Sequence, residues 1–158
     1  VGSDLIVAAV AAIAEYGAPL LLVDMGTATT ITAIDADGAF VGGCICPGVK
    51  ISMDALTGRT AQLPGISLDE PQTAIGKNTR DSMRSGIMFG SAAMLDGLLD
   101  RMEAELGTPA RVIATGGIAK FVIPLCRREI LYDRCLMLKG LRLLYKRNTE
   151  HKKPACKQ

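Results

Sequence analysis

The sequence predicts an α/β domain. Two observations carry the prediction: short apolar runs rich in β-branched residues end at glycine or proline, and longer segments repeat apolar residues at three- and four-residue steps. With 158 residues the chain is long enough for one domain with a proper core. Apolar residues make up 49% of the chain and charged residues 22%, which is typical of globular rather than disordered proteins.

The first half of the chain is predicted to hold two helices and three strands. Ser3 or Asp4 can cap the first helix, and Gly17 followed by Pro19 ends it. Because this helix is rich in alanine and apolar nearly all round, we expect it to be buried. The other elements, each bounded by glycine or proline, are a strand pair within 20–35, a third strand over 39–46 and a helix over 49–56.

The second half is predicted to begin with an irregular loop and the longest helix of the chain. Asn78 or Thr79 can cap this helix, whose apolar residues recur at helical spacing to about Leu106. Glycines at positions 86, 90 and 97 would weaken an isolated helix, so we expect close packing there. The remaining elements are a strand over 111–114, a helix starting just after 117, an edge strand over 129–132 and a helix over 138–147.

The most informative stretch is the strand pair within 20–35, where an apolar run ends in Asp24, Gly26 and several threonines. At a tight turn Gly26 lets the backbone approach an anion, the amide and hydroxyl of Thr27 can donate to phosphate oxygens, and Asp24 can hold a cation. The stretch therefore predicts a phosphate site. The alternative is an ordinary hairpin whose threonines serve β-propensity.

The charge distribution and the cysteine content disfavour some classes of function, such as nucleic-acid binding and zinc binding. Residues 1–108 carry 6 basic and 13 acidic side chains, whereas residues 109–158 carry 12 basic and 3 acidic ones. Few aromatic residues are interleaved with the basic end, so we expect no nucleic-acid partner, but a domain over 1–148 with a basic flexible tail over 149–158. Five cysteines without CxxC spacing disfavour zinc and a disulfide framework. No apolar run could cross a bilayer, so we expect a cytoplasmic protein without a membrane partner.

A second strand end with glycine and hydroxyl groups, Ala114-Thr-Gly-Gly117, follows the long helix. The pair of strand ends resembles the actin-like ATPase fold, a ribonuclease H-like domain with a mixed sheet and helices on both faces. Across nearly its whole length the chain resembles the type III pantothenate kinases still more closely. The matching segments are Gly2-Ser-Asp4, Val23-Asp-Met-Gly-Thr-Ala-Thr-Thr30, Gly42-Gly43, Pro47-Gly48, Arg59-Thr-Ala-Gln-Leu-Pro64, Ile75-Gly-Lys-Asn-Thr79, Ser85-Gly86, Ala114-Thr-Gly-Gly117 and Leu138-Lys-Gly-Leu-Arg-Leu143.

The resemblance implies that ATP phosphorylates the hydroxyl of pantothenate, which is the first step of coenzyme A biosynthesis. It also implies Mg²⁺ bound to ATP, an activating monovalent cation (K⁺ or NH₄⁺), and a homodimer whose substrate pocket borrows residues from the neighbouring subunit. The implied site residues are Asp4 as the catalytic carboxylate; Gly2, Ser3, Asp4, Leu5 and Thr79 for pantothenate; Gly26, Thr27, Gly116 and Gly117 for ATP; and Asp24 for the monovalent cation.

Each of these residues also has a purely structural interpretation. Asp4 and Thr79 stand where helix caps stand, Gly116 and Gly117 can form a plain strand-to-helix turn, and Asp24 can be an acid paired to a lysine. Their occurrence together, in the order of the family, favours the kinase interpretation.

The chain departs from the family pattern in two ways. Leu5 stands where family members usually have an arginine, whose guanidinium would bind the pantothenate carboxylate through two hydrogen bonds. The family's amino-terminal domain, with its Asp-x-Gly-Asn-Thr loop, has no counterpart here. We therefore expect one half of a two-domain kinase, a carboxy-terminal portion that is inactive alone. A non-catalytic transcriptional accessory relative of the same family is the alternative.

Overall fold

A five-stranded mixed sheet forms the centre of the computed structural model, which describes residues 2–58 and 67–150. The strands are β1 (Leu20–Met25), β2 (Ala28–Ile34), β3 (Phe40–Pro47), β4 (Arg111–Thr115) and β5 (Leu131–Tyr132). Their order across the sheet is β3-β2-β1-β4-β5. β1, β2 and β3 pair antiparallel, while β4 pairs parallel with both β1 and β5. The predicted α/β class is confirmed.

Five α-helices and one short 3₁₀ helix complete the described fold: α1 (Ser3–Tyr16), α2 (Val49–Gly58), α3 (Thr79–Leu106), α4 (Ala119–Val122), the 3₁₀ helix Ile123–Leu125 and α5 (Leu136–Glu150). The helix α5 continues through residues 149 and 150, which the sequence assigned to the tail. Residues 151–158 and part of the predicted loop, 59–66, lie outside the described residues. Among the helices described, none combines the length and the apolar character needed to cross a membrane.

Side-chain alternation along β1 divides the core into two layers. Leu21 and Val23 point to one face, where α2, α3 and α4 pack, and Leu20 and Leu22 point to the other, where α1 and α5 pack. All four side chains are fully buried, and each contributes about 1.5–3 kcal/mol by leaving water. Helices therefore cover both faces of the sheet, as the sequence predicted.

The contact between α1 and α5 depends on a glycine. A β-carbon at Gly140 of α5 would lie 2.2 Å from the backbone oxygen of Val7 in α1, so only glycine allows the two helices to approach this closely. The expectation that α1 is buried all round is wrong. Its buried residues, Ala8, Ala9, Ala11 and Ala12, cover one face only, and Ile6 is 53% exposed.

The glycines of α3 do not serve close packing, contrary to the sequence-based expectation. A β-carbon at Gly86, Gly90 or Gly97 would meet no atom within 4 Å outside its own stretch of helix. The helix is instead fixed at its ends: the side chain of Asn78 accepts a hydrogen bond from the Asp81 amide at 2.9 Å, and Gly107 ends it in the left-handed conformation. Asn78, rather than Thr79, is thus the cap.

A buried carboxylate, Asp133, joins α1, α5 and the end of β5. It accepts hydrogen bonds from the Tyr16 hydroxyl at 2.8 Å and from the Lys139 ammonium at 2.6 Å, and Lys139 also pairs with Glu15. Burial opposes ionisation of Asp133, but the hydrogen bonds from Lys139 and Tyr16 outweigh it and lower the pKa of this carboxyl. Burial, followed by the hydrogen bond to Asp133, raises the pKa of Tyr16 to about 12.

Substituting Gly140→Ala should lower the free energy of unfolding by about 1–3 kcal/mol, because the added methyl group forces α1 and α5 apart. The matched control is Gly97→Ala, another helical glycine, where the β-carbon has room. That change should be neutral or stabilising by up to about 1 kcal/mol. Urea unfolding of both variants measures the difference, and equal effects would contradict the close contact.

Replacing Asp133 with asparagine should destabilise the fold at neutral pH by about 1–3 kcal/mol, because charge-assisted hydrogen bonds are lost. The pKa of Asp133 is lowered in the folded state, so its contribution is present above the unfolded pKa of about 3.9. It is lost as the pH falls through the folded value. Urea unfolding between pH 7 and pH 3 should show the gap between wild type and variant closing at the acidic end, and a gap independent of pH would refute this assignment.

Candidate functional site

The two strand ends that the sequence singled out are neighbours in the sheet. β1 and β4 run parallel, and Asp24 pairs in register with Thr115. Gly116 then turns with a φ of +99°, and a β-carbon there would lie 2.5 Å from the backbone oxygen of Met25. The turn after β4 therefore rests directly on the end of β1. In α/β sheets, ligands bind outside the carboxyl ends of the strands, which is where this contact lies.

A cavity of about 480 Å³ opens at this edge of the sheet. Its lining includes Asp24, from the end of β1, and Gly116 and Gly117, from the turn after β4. The complete lining is Asp24, Thr115, Gly116, Gly117, Lys120, Tyr132, Arg134 and Met137. Its volume lies in the range of small-molecule sites.

Asp24 is a half-buried carboxylate that forms no ion pair with any residue the structure describes. Its side chain points to the face that α1 and α5 cover, since β1 alternates and Leu22 points there. Burial raises the pKa of Asp24, and the negative charge of Asp4 raises it further. No lysine or arginine in the described part of the chain forms an ion pair with Asp24, so the described residues do not supply the lysine partner of the structural interpretation.

The position of Asp4 follows from the lengths of α1 and β1. α1 spans about 21 Å and leads, after a short turn, into β1, which returns about 20 Å beneath it. The first turn of α1 therefore lies near the end of β1, and the electrostatic effect of Asp4 on Asp24 agrees with this placement. The two acidic residues lie on the same side of the sheet.

The carboxylate of Asp4 is not used to cap its helix. The N-cap is Gly2, which has no side chain, so the expected capping by Ser3 or Asp4 is wrong. Asp4 is exposed, and its one side-chain hydrogen bond comes from the Ser3 hydroxyl at 3.4 Å. Both Gly2 and Ser3 are exposed, whereas Leu5 packs against the buried residues between α1 and α5.

The turn after β1 is exposed and shaped by contacts with its neighbours. The amide of Gly26 donates to the Ala28 carbonyl at 3.1 Å. A β-carbon at Gly48 would lie 2.0 Å from the Thr27 carbonyl oxygen, so the end of β3 supports this turn through a glycine. The Thr27 hydroxyl makes no hydrogen bond with any described residue and does not line the cavity.

Of the predicted site residues, Asp24, Gly116 and Gly117 line the cavity, and the others do not. Thr79 belongs to a different part of the fold. It is the exposed first residue of α3, which packs on the sheet face opposite to α1. Within one chain, Thr79 and Asp4 therefore lie on different sides of the sheet.

Asp24 is the residue that fits a cation at this site. Its carboxylate is half-buried, is near the negative charge of Asp4 and forms no ion pair with a described residue, so a bound cation would relieve an electrostatic cost. The described residues contain no cluster of three or more histidine, cysteine or acidic side chains that could hold a metal. Their four cysteines are free thiols.

Sequence reasoning missed four cavity residues, Lys120, Tyr132, Arg134 and Met137. The Tyr132 hydroxyl donates to the Gly116 carbonyl at 3.1 Å and so connects the end of β5 to the turn after β4. The predicted edge strand could have indicated Tyr132 and Arg134, because a strand parallel to β4 ends at the same edge of the sheet as β4.

Solved structures similar to this chain support the fold. A Campylobacter jejuni protein described as a Baf family transcriptional activator matches with a TM-score of 0.63 and 22% identity, over 91% of this chain and 65% of that one. The activator of 2-hydroxyisocaproyl-CoA dehydratase from Clostridium difficile, solved with bound ADPNP, matches with a TM-score of 0.53 and 12% identity, over 98% and 71%. The predicted actin-like ATPase fold is confirmed.

Sequence comparison identifies the family. The family model for type III pantothenate kinase matches residues 1–101. The type III pantothenate kinase of Thermomicrobium roseum is 48% identical over 147 residues, covering 93% of this chain and 57% of that protein. The corresponding kinase of Myxococcus xanthus is 46% identical over 148 residues, covering 94% and 58%. This chain thus spans less than two thirds of these relatives, and it belongs to the type III pantothenate kinase family.

Proposed function

We propose that this chain is part of an enzyme that uses ATP to phosphorylate pantothenate to 4'-phosphopantothenate, the first step of coenzyme A biosynthesis. Because the chain spans 57% to 58% of the kinases named above, the activity is proposed for a protein of their length. The observation that carries the proposal is the cavity that Asp24 shares with Gly116 and Gly117, next to Asp4.

Asp4 is the proposed general base. As the pantothenate hydroxyl oxygen attacks the γ-phosphorus, the Asp4 carboxylate accepts the hydroxyl proton, and ADP leaves. The absence of capping by Asp4 supports this role, because the carboxylate is exposed and lacks a competing backbone partner. Exposed backbone at Gly2 and Ser3 is available to orient the substrate.

Asp24 is the proposed ligand of a monovalent cation, K⁺ or NH₄⁺. The cation, when bound, would supply positive charge beside the phosphates, and Mg²⁺ would arrive with ATP. Gly26, Thr27, Gly116 and Gly117 are the proposed ATP contacts. The hydroxyl of Thr27 has no partner among the described residues, and Gly116 allows a close approach of backbone to ligand.

Thr79 is proposed to contact pantothenate from a second subunit. Its place at the start of α3, which packs on the face of the sheet opposite to α1, supports a pocket shared between two subunits. A homodimer is therefore part of the proposal.

Leu5 favours a second candidate function, a non-catalytic transcriptional accessory relative. An aliphatic side chain packed against α5 cannot bind the pantothenate carboxylate as an arginine would. Assay of the complete protein for ATP- and K⁺-dependent phosphorylation of pantothenate separates the two candidates, because the accessory protein would show no turnover.

Substituting Asp4→Asn in the complete protein should lower kcat for pantothenate by about 10²–10⁴-fold, because an amide cannot accept the proton. The KM for ATP should change little. Steady-state kinetics measure both. Asp37→Asn, at the far end of the β2–β3 hairpin, is the matched control and should leave kcat unchanged. Full activity of Asp4→Asn would exclude Asp4 as the base.

Substituting Asp24→Asn should abolish the activation by K⁺ while leaving the fold intact, because removal of the negative charge removes the proposed ligand. Activity is measured as a function of K⁺ concentration at constant ionic strength. An unchanged K⁺ response would show that the cation binds elsewhere.

A further inference from the structure

The cavity beside Asp24 contains two cations that the family resemblance does not assign, Lys120 and Arg134. Lys120 is on α4, four residues after Gly116, and Arg134 follows β5. Since β4 and β5 are parallel, both segments emerge at the same edge of the sheet, and both side chains line the same cavity.

Neither cation is used elsewhere in the described structure. Arg127, Arg128 and Lys139, from the same part of the chain, each form an ion pair. Lys120 and Arg134 form none with any described residue, and both are exposed. The ammonium of Lys120 lies 4.8 Å from the centre of the Phe121 ring, a contact that leaves its hydrogen-bond donors available.

Arg134 is placed by a rigid segment. The buried carboxylate of Asp96 accepts hydrogen bonds from the amides of Arg127 and Arg128 at 2.9 and 3.0 Å, which hold the approach to β5 against α3. Directly before Arg134 the Asp133 amide donates to the Ala114 carbonyl at 2.8 Å, and directly after it the Cys135 amide donates to the Asp133 carboxylate at 3.0 Å. These contacts fix the backbone from which the Arg134 side chain extends.

We propose that Lys120 and Arg134 bind the phosphate groups of the nucleotide in this cavity. The inference rests on the proposed function, for which it adds two binding residues. A polyphosphate would be repelled by the negative charges of Asp24 and Asp4, and the two positive side chains of Lys120 and Arg134 offset those charges. The Arg134 guanidinium can form paired hydrogen bonds to one phosphate, while the Lys120 ammonium supplies a point charge.

Nucleotide binding to the complete protein tests the proposal, with ATP and adenosine as separate ligands. By isothermal titration calorimetry, the double variant Lys120→Gln, Arg134→Gln should weaken ATP binding by about tenfold or more, because two charge-assisted contacts are lost. Adenosine carries no phosphate, so its affinity should stay within about twofold. The double variant should also show a weaker dependence of ATP affinity on salt, and Arg134→Lys should recover part of the loss.

The matched control is the double variant Arg142→Gln, Lys146→Gln, which removes the same charge from a groove between α1 and α5. It should leave both affinities unchanged. If wild type phosphorylates pantothenate and the cavity variant keeps its affinity for ATP, this inference fails while the proposed function stands. Equal weakening of ATP and adenosine would also overturn it. If wild type neither binds ATP nor phosphorylates pantothenate, the proposed function fails and the inference fails with it.

Discussion

The parallel pairing of β1 with β4 is the interaction on which the candidate site depends. It aligns Asp24 with Thr115, and the missing side chain at Gly116 lets the following turn rest on the backbone of Met25. A side chain at position 116 would have to displace the end of β1 and would be strained at a positive φ. The cavity thus exists because two strand ends that are far apart in the sequence touch without an intervening side chain.

Two carboxylates on the same side of the sheet, Asp133 and Asp24, have opposite electrostatic environments. Asp133 is surrounded by donors from Tyr16 and Lys139, which hold its pKa low, and it joins three elements. Asp24 has no such donors within residues 2–58 and 67–150, and both burial and Asp4 raise its pKa. The first arrangement stabilises the fold. The second costs stability, and a cost of this kind is common where a protein binds a ligand of opposite charge.

Local patterns were enough to predict most of the secondary structure. The Asn78 cap, the end of α1 near Tyr16 and the strand over 111–114 depend on nearby residues, and the structure has them at or close to the expected positions. Packing was harder to predict. The glycines of α3 and the glycine of α5 look alike in the sequence, yet of these only Gly140 lies close to another helix. Local patterns could not reveal this, because the residue that Gly140 contacts, Val7, is 133 positions away.

The candidate site, too, was predictable where it depends on local patterns and not where it depends on contacts between distant residues. Asp24 and Gly116 were found because each ends an apolar run, and the structure brings them into one cavity. The sequence could not show whether Asp4 caps α1, because several neighbouring residues can take the N-cap position. In the structure Gly2, which has no side chain, is the N-cap. Lys120 and Arg134 became visible only through strand pairing, which no short stretch of sequence encodes.

The crossing of α1 and α5 at Gly140 also determines how α1 can move. Val7, which touches Gly140, is three residues from Asp4, about 4.5 Å along the helix axis. The other end of α1, at Tyr16, is nine residues away in the opposite direction, about 13.5 Å. A tilt of α1 about this contact would therefore shift its far end about three times as much as Asp4, so the contact at Gly140 holds Asp4 more closely in place than Tyr16.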